Sequence, residues 1–147
     1  MRALIQRVRS ASVSVDGEVV GKIGAGILIF LGVTHEDTSS EVQYVADKCI
    51  NLRIFDDEKG LMNRSLLDTA GEVLIISQFT LYGDTSHGRR PSYSEAARPE
   101  PAKKLYEEFV KTVRASVPKV ETGIFAAEML VELCNDGPVT LMVESKK

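Results

Sequence analysis

The stretch GILIFLGV, residues 26–33, is the longest apolar run in the chain, and it decides the fold class. No polar residue alternates with its Ile, Leu and Phe side chains, a pattern typical of a strand buried on both faces. The run is too short to cross a bilayer, which takes about 20 residues of helix. It therefore predicts the central strand of a sheet.

Strand patterns surround this run on both sides. Upstream, residues 3–8 and 11–15 carry β-branched residues and predict two strands. The pair Asp16-Gly17 predicts a tight turn into a further strand over residues 18–23. Downstream, five segments are expected to be strands: residues 52–55, 73–78, 119–122, 129–134 and 139–143.

Two segments instead have apolar residues at the three-four spacing of an amphipathic helix. In the first, Thr38 or Ser39 is a candidate N-cap. In the second, Pro101 is expected at the first helical position. The apolar stripes are Val42, Val45, Ala46, Cys49 and Ile50 in the first helix, and Ala102, Leu105, Tyr106, Phe109, Val110 and Val113 in the second. We therefore expect one α/β domain over residues 1–147, with mixed and antiparallel sheets, partly barrel-like, and two main helices packed on the outside.

Composition and charge indicate the class of protein. The 147 residues are 44% hydrophobic, as in an ordinary globular domain, and a chain of this length can bury a sufficient core without disulfides or a structural metal. The 18 Lys and Arg residues against 21 Asp and Glu residues give a net charge of -3. That balance argues against a protein that coats nucleic acid through bulk electrostatics.

The cysteines and histidines give no sign of a metal site or cofactor. Cys49 and Cys134 are far apart, and His35 and His87 are the only possible imidazole partners, so a zinc site is not expected. Both cysteines lie in apolar patterns, which predicts reduced core thiols. The N-terminal segment lacks the apolar core of a signal peptide, so we expect a cytoplasmic protein without membrane contact.

The segment SQFTLYGD, residues 77–84, has polar residues at the end of an apolar strand. Ser77 and Thr80 offer hydroxyl groups, and neighbouring backbone N–H groups could form an oxyanion hole. A strand end that runs into a loop is a common place for catalytic groups, because the sheet fixes the backbone beside an open space. The alternative is that these polar residues only satisfy the backbone of a turn.

The segment NDGPVT, residues 135–140, contains a Gly-Pro pair between two apolar segments. Its simplest interpretation is a turn that connects two strands. If the peptide bond were cis, two neighbouring carbonyl groups would form a rigid wall able to select a ligand by shape. The GxSxG motif is absent, and a Ser-His or Thr-His pair would need His35 or His87. A hydrolase would thus need its base from elsewhere.

Five segments in the same order together resemble the D-aminoacyl-tRNA deacylase family, over essentially the whole chain. They are MRALIQRV at residues 1–8, SQFTL at 77–81, GRRPSYS at 88–94, GIFAAEM at 123–129 and NDGPVT at 135–140. The resemblance implies an esterase that removes D-amino acids from the 3′ end of tRNA. It also implies a homodimer in which a cis Gly137-Pro138 motif of one subunit reaches into the active site of the other.

The resemblance also implies roles for individual residues. Ser77, Gln78 and Thr80 are expected to be catalytic. Substrate binding is assigned to Phe79, to the Gly137-Pro138 motif and, near the terminal adenosine, to Phe125 and Met129, while Arg7 braces the Gly-Pro segment. Arg89 and Arg90, together with Arg2, Arg7 and Arg9, are candidate phosphate contacts.

The family resemblance fits a mechanism of selection by exclusion. A backbone wall that rejects the L-aminoacyl ester leaves the D side chain free in solvent, so many D-amino acids and also glycyl-tRNA are accepted. The 2′-hydroxyl of the tRNA is expected to help activate water. Two alternatives stay open: a covalent acyl-enzyme formed on Ser77 or Thr80, and a non-catalytic protein that binds aminoacylated RNA ends.

Overall fold

The computed structural model describes residues 1–145. The strands are β1 Arg2–Val15, β2 Glu18–Ile23, β3 Gly26–Gly32, β4 Phe55–Asp56, β5 Met62–Arg64, β6 Glu72–Ser77, β7 Val120–Thr122 and β8 Leu130–Glu144. The helices are α1 Ser39–Asn51, α2 Leu66–Thr69 and α3 Pro99–Arg114, and a single 3₁₀ turn covers Phe79–Tyr82. No helix among the described residues is long and apolar enough to cross a membrane.

The apolar run at residues 26–33 forms the central strand, as its composition predicts. β3 pairs antiparallel with the first half of β1 and parallel with β6, which in turn pairs parallel with β7. Side chains of β3 alternate between two cores, with Ile29 and Leu31 on one face and Leu28 on the other. Both faces are therefore covered, which explains why the sequence of β3 has no polar alternation.

The sheet is partly barrel-like, as expected, because the long strand β1 belongs to two parts of it. Its second half pairs with β2, and β8 runs antiparallel along its other edge. β2 folds back towards β7: a Cβ atom on Gly21 would lie only 2.7 Å from the carbonyl oxygen of Thr122. Inside this curve lies the smaller core, which includes Val13, Ile23 and Leu74.

The two main helices cover the outer face of the sheet, where the larger core lies. Thr38 is the N-cap of α1, and its side chain and that of Glu41 form a reciprocal capping box. Cys49 of α1 and Phe109 of α3 are almost fully buried against the sheet. Burial raises the pKa of the Cys49 thiol to about 12, as expected for a reduced core cysteine.

Several sequence predictions need correction. Residues 3–8 and 11–15 belong to one strand, because the backbone ladder with β8 continues through the exposed Ser10. Of residues 52–55, only Phe55 is in a strand, and α3 begins at Pro99 rather than at Pro101. Residues 135–138 do not form a turn between two strands, since β8 is continuous from Leu130 to Glu144. Cys134 on β8 is exposed and is not a core thiol.

Candidate active site

The end of β6 leads into the short 3₁₀ turn that carries the predicted catalytic segment. The Gln78 N–H donates to the carbonyl of Leu31 at 2.8 Å, which fixes the end of β6 to β3. The first hydrogen bond of the turn runs from the Leu81 N–H to the Gln78 carbonyl at 3.3 Å. Phe79 and Thr80 come before Leu81 in the turn, so their N–H groups do not take part in its hydrogen bonds.

Two side chains of this segment, those of Gln78 and Thr80, are joined by a hydrogen bond. Ser77 and Gln78 are half-buried, whereas Phe79 and Thr80 are exposed. The Gln78 side-chain amide donates to the hydroxyl oxygen of Thr80. This bond orients the Thr80 hydroxyl, which keeps its own proton to donate elsewhere.

A cleft of about 530 Å³ opens beside this turn. Ser77, Gln78 and Phe79 form part of its wall, and Phe125 and Met129 form another part. The structure thus brings five of the predicted site residues together in one cavity. Thr80 lies next to this wall, and its hydroxyl is tied to it through Gln78.

Contacts with α3 and β6 hold the turn that carries Phe125. The rings of Phe125 and Tyr106 are 5.9 Å apart, and the Tyr106 hydroxyl donates to the carbonyl of Ile75 at 3.0 Å. Ala126 has a φ of 66°, a left-handed conformation that is unusual for alanine. Helix α3 and strand β6 therefore position the Phe125 wall of the cleft.

The cleft contains hydroxyls, amides and apolar groups but no evident general base. The described residues that line it include no His, Asp, Glu, Lys or Cys. Tyr82, at the end of the turn, is not a base either, since burial raises its pKa to about 12 and the nearby Asp37 carboxylate adds to the shift. The described lining of this cleft therefore offers no carboxylate or imidazole to activate a water molecule, and its ionisable side chains are Tyr93 and Arg98.

Gly137 and Pro138 lie outside this cleft. Both are exposed, and the peptide bond between them is cis, as the family resemblance implies. Arg7, itself only 7% exposed, donates through Nε to the Asp136 carbonyl at 3.1 Å and through one terminal nitrogen to the Gly137 carbonyl at 3.4 Å. Its other terminal nitrogen donates to the Ile54 carbonyl at 2.6 Å. Arg7 thus connects the Gly-Pro segment to the fold.

The arginines predicted to contact phosphate have different surroundings. Arg89 and Arg90 are exposed in the loop between the 3₁₀ turn and α3, and neither has an ion pair within the described part of the chain. Arg2 instead donates to the Leu81 carbonyl at 2.9 Å, lies 4.5 Å from the centre of the Tyr82 ring and pairs with Glu144. Arg2 therefore supports the 3₁₀ turn Phe79–Tyr82. In residues 1–145, no group of three or more His, Cys, Asp and Glu could hold a metal ion.

Sequence reasoning missed part of the cleft wall. Tyr93 packs edge-to-face on Phe79, with ring centres 5.3 Å apart, and Arg98 lies at the same cavity. The loop position of Tyr93 gave a weak signal, since it is an aromatic residue in a stretch rich in Gly, Ser, Arg and Pro. Ala126 gave none, because nothing in its sequence neighbourhood predicts a left-handed alanine.

Comparisons with known proteins agree with this architecture. A family model described as D-Tyr-tRNA(Tyr) deacylase matches residues 4–144. Proteins named D-aminoacyl-tRNA deacylase are 61% identical in Fervidobacterium nodosum, 62% in Thermosipho africanus and 58% in Clostridioides difficile, each over 100% of this chain and 99% of that protein.

Two solved structures have the same fold. One, described as a c-Myc DNA unwinding element binding protein, is 39% identical with a TM-score of 0.95 and full coverage of both chains. Another, described as a probable eukaryotic D-amino acid tRNA deacylase, is 18% identical with a TM-score of 0.84, covering 97% of this chain and 98% of that one. With the family model matched over almost the whole chain, the protein belongs to the D-Tyr-tRNA(Tyr) deacylase family.

Proposed function

We propose that this protein hydrolyses the ester bond between a D-amino acid and the 3′-terminal adenosine of tRNA. The observation that carries the proposal is the cleft beside the end of β6, which offers positioning groups without a side-chain base, in a chain of the deacylase family. Because its substrate is aminoacyl-tRNA, we also propose that it acts in the cytoplasm.

The ester is positioned by Ser77, Gln78 and Thr80, and the terminal adenosine by Phe125 and Met129. The backbone N–H groups of Phe79 and Thr80 stabilise the oxyanion that forms when water attacks the ester carbonyl. Donors aimed at this oxygen are worth about 2.7 to 4 kcal/mol each in hydrolases that have been dissected by mutation. This stabilisation would provide much of the protein's contribution to catalysis.

The missing base is supplied by the substrate. The 2′-hydroxyl of the terminal ribose neighbours the ester and helps to activate the attacking water. The described residues of the cleft lining include no His, Asp, Glu, Lys or Cys, which supports this assignment. A substrate that ends in 2′-deoxyadenosine is expected to be cleaved far more slowly, and unchanged cleavage would rule out assistance by the RNA.

Selection between D- and L-esters is made by the Gly137-Pro138 segment of a second subunit. Two observations support a homodimer: this segment is exposed away from its own cleft, and β8 leaves large apolar side chains exposed along one edge of the sheet. These side chains are Leu130, Leu133, Leu141 and Met142. The segment acts as a wall that the α-substituent of an L-ester cannot pass, whereas glycine presents no substituent to reject.

The test is to incubate the purified protein separately with D-tyrosyl-tRNA, L-tyrosyl-tRNA and glycyl-tRNA. We expect loss of the D-tyrosyl and glycyl esters and survival of the L-tyrosyl ester. Sedimentation of the same sample is expected to show a dimer. A folded, dimeric protein that cleaves none of the three esters would contradict the proposal.

Two other functions make different predictions. A covalent acyl-enzyme on Ser77 or Thr80 predicts a burst of released tRNA and an adduct that can be trapped. Binding without hydrolysis is favoured by the exposed aromatic pair Phe79 and Tyr93 beside Arg98, since aromatic rings and cations hold single-stranded nucleic acids. A stable complex with intact aminoacyl-tRNA or with DNA, and no released amino acid, would support that second function.

A further inference from the structure

The Gly137-Pro138 segment lies in a large bulge of β8, residues 136–139. In the ladder with β1, Asn135 lies opposite Val8 and Thr140 lies opposite Gln6. Residues 136–139 therefore face a single residue of β1, Arg7. The extra residues of a bulge have no ladder partner of their own, and Gly137 and Pro138 within this bulge are exposed.

The side chain of Asn135 closes the neck of this bulge. Its Nδ2 group donates to the carbonyl of Arg7 on β1 at 2.9 Å and to the carbonyl of Val139 at 3.1 Å. A primary amide has two N–H donors, and both are used here. The two bonds tie the beginning of the bulge to its end and to the opposite strand, where regular backbone pairing is interrupted.

Asn135 differs from Arg7, the other residue that holds the bulge. Arg7 also binds the Ile54 carbonyl and lies 3.8 Å from a carboxylate oxygen of Asp56, so its loss disturbs other parts of the fold. Both hydrogen bonds of the Asn135 amide go to the neck of the bulge, and the residue is exposed. Its Oδ1 would lie 3.8 Å from a Cβ built on Gly137, so the amide also lies close to Gly137.

We propose that Asn135 is the positioning residue that determines chiral selectivity by fixing how far Gly137 and Pro138 project. This inference rests on the proposed function of that segment as a wall. A wall rejects an L-substituent only while it cannot move aside. A D-substituent points away from the wall, so its ester does not depend on the wall's stiffness. Loosening the neck should therefore raise the rate of L-ester cleavage and leave the rate of D-ester cleavage unchanged.

The experiment compares Asn135→Ala and Asn135→Asp with wild type. Alanine removes both hydrogen bonds, and aspartate keeps the shape of the side chain but presents an oxygen to two carbonyl oxygens. Cys134→Ala is the matched control, because Cys134 is the exposed neighbour on the same strand and has no hydrogen bond to the bulge. The measured quantity is kcat/KM for D-tyrosyl-tRNA and L-tyrosyl-tRNA, with the melting temperature of each variant.

In both Asn135 variants we expect the D-to-L ratio to fall by about tenfold or more, which corresponds to about 1.4 kcal/mol. The fall should come from faster L-ester cleavage, while Cys134→Ala keeps the wild-type ratio. An unchanged D-to-L ratio in folded variants overturns the inference. An equal loss of activity on both esters, or unfolding of both variants, also overturns it, because each of these results would give Asn135 a purely structural role. If the wild-type protein cleaves no D-ester, the proposed function itself is overturned, and the inference falls with it.

Discussion

At the scale of single residues, the surroundings of Thr80 support our proposal that its hydroxyl positions the ester and does not attack it. The Gln78 amide donates to the Thr80 oxygen, and the described cleft lining contains no imidazole or carboxylate to remove the hydroxyl proton. A nucleophilic Thr80 would need such a base. Its geometry is that of an oriented donor or a support for the turn.

We therefore expect Thr80→Val to lower kcat for D-tyrosyl-tRNA by about tenfold, because it removes the hydroxyl that positions the ester and keeps the backbone N–H of residue 80. Tenfold corresponds to about 1.4 kcal/mol, the net contribution of one hydrogen bond. Thr80→Ser is the matched control, since it keeps the hydroxyl and should retain most of the activity. Single-turnover deacylation measures both. Full activity of Thr80→Val would remove the hydroxyl from the mechanism, and a trapped acyl-threonine in wild type would show that Thr80 attacks.

At the scale of secondary structure, the contact between β3 and β6 sets the position of the active-site turn. These strands are parallel, and at the start of the pair Gly26 lies against Glu72. A Cβ atom on Gly26 would lie 1.8 Å from the Glu72 carbonyl oxygen, so no larger residue fits without moving the backbone. β6 ends at Ser77, and any shift of the strand would be passed on to the cleft.

Gly26→Ala is therefore expected to destabilise the protein by about 3 kcal/mol or more, the upper end of the cost of overpacking. Gly24→Ala is the control, because a Cβ there meets only the flexible side chain of Glu72 at 3.6 Å. Urea unfolding of both variants measures the difference. Equal stabilities would show that the strands can separate locally, and that β6 does not need this close contact.

The elements differ in how well the sequence predicts them. β3 and α1 were predictable because burial on two faces and a three-four apolar stripe each leave a direct mark on the sequence. β8 was not: its Gly-Pro pair is typical of a turn, but pairing with β1 on both sides of the bulge keeps the strand continuous. Long-range pairing of this kind depends on the partner strand, which local sequence patterns do not identify.

The residues of the candidate site also differ in how well the sequence predicts them. Ser77, Gln78 and Thr80 could be identified because polar residues at the end of an apolar strand break the expected pattern. Tyr93 and Arg98 enter the cleft only because the loop before α3 folds back: its Ala97 N–H donates to the Val33 carbonyl at 2.9 Å. Asn135 appears in the sequence as a turn former, and only the β1–β8 register shows that its amide closes a bulge.

At the scale of the whole molecule, the net charge of -3 limits how the protein can bind tRNA. A protein that follows the RNA backbone neutralises many phosphates and releases many counterions. Arg98 is the one arginine or lysine among the described residues that line the cleft. Arg89, Arg90 and Arg98 lie in or next to one loop, and no ion pair is formed by any of them within residues 1–145. This arrangement suits a protein that reads only the aminoacylated end.

Binding of tRNA is therefore expected to depend only modestly on salt. For single strands each neutralised phosphate contributes about -0.7 to the slope of log K against log salt concentration, so two or three contacts give a slope of about -1.4 to -2.1. The measurement is the dissociation constant for a non-hydrolysable aminoacyl-tRNA mimic at several salt concentrations. The double variant Arg89→Ala with Arg90→Ala should flatten the slope by about 1.4 if both side chains contact phosphate. A wild-type slope of about -4 or steeper, as for six or more neutralised phosphates, would contradict recognition limited to the aminoacylated end.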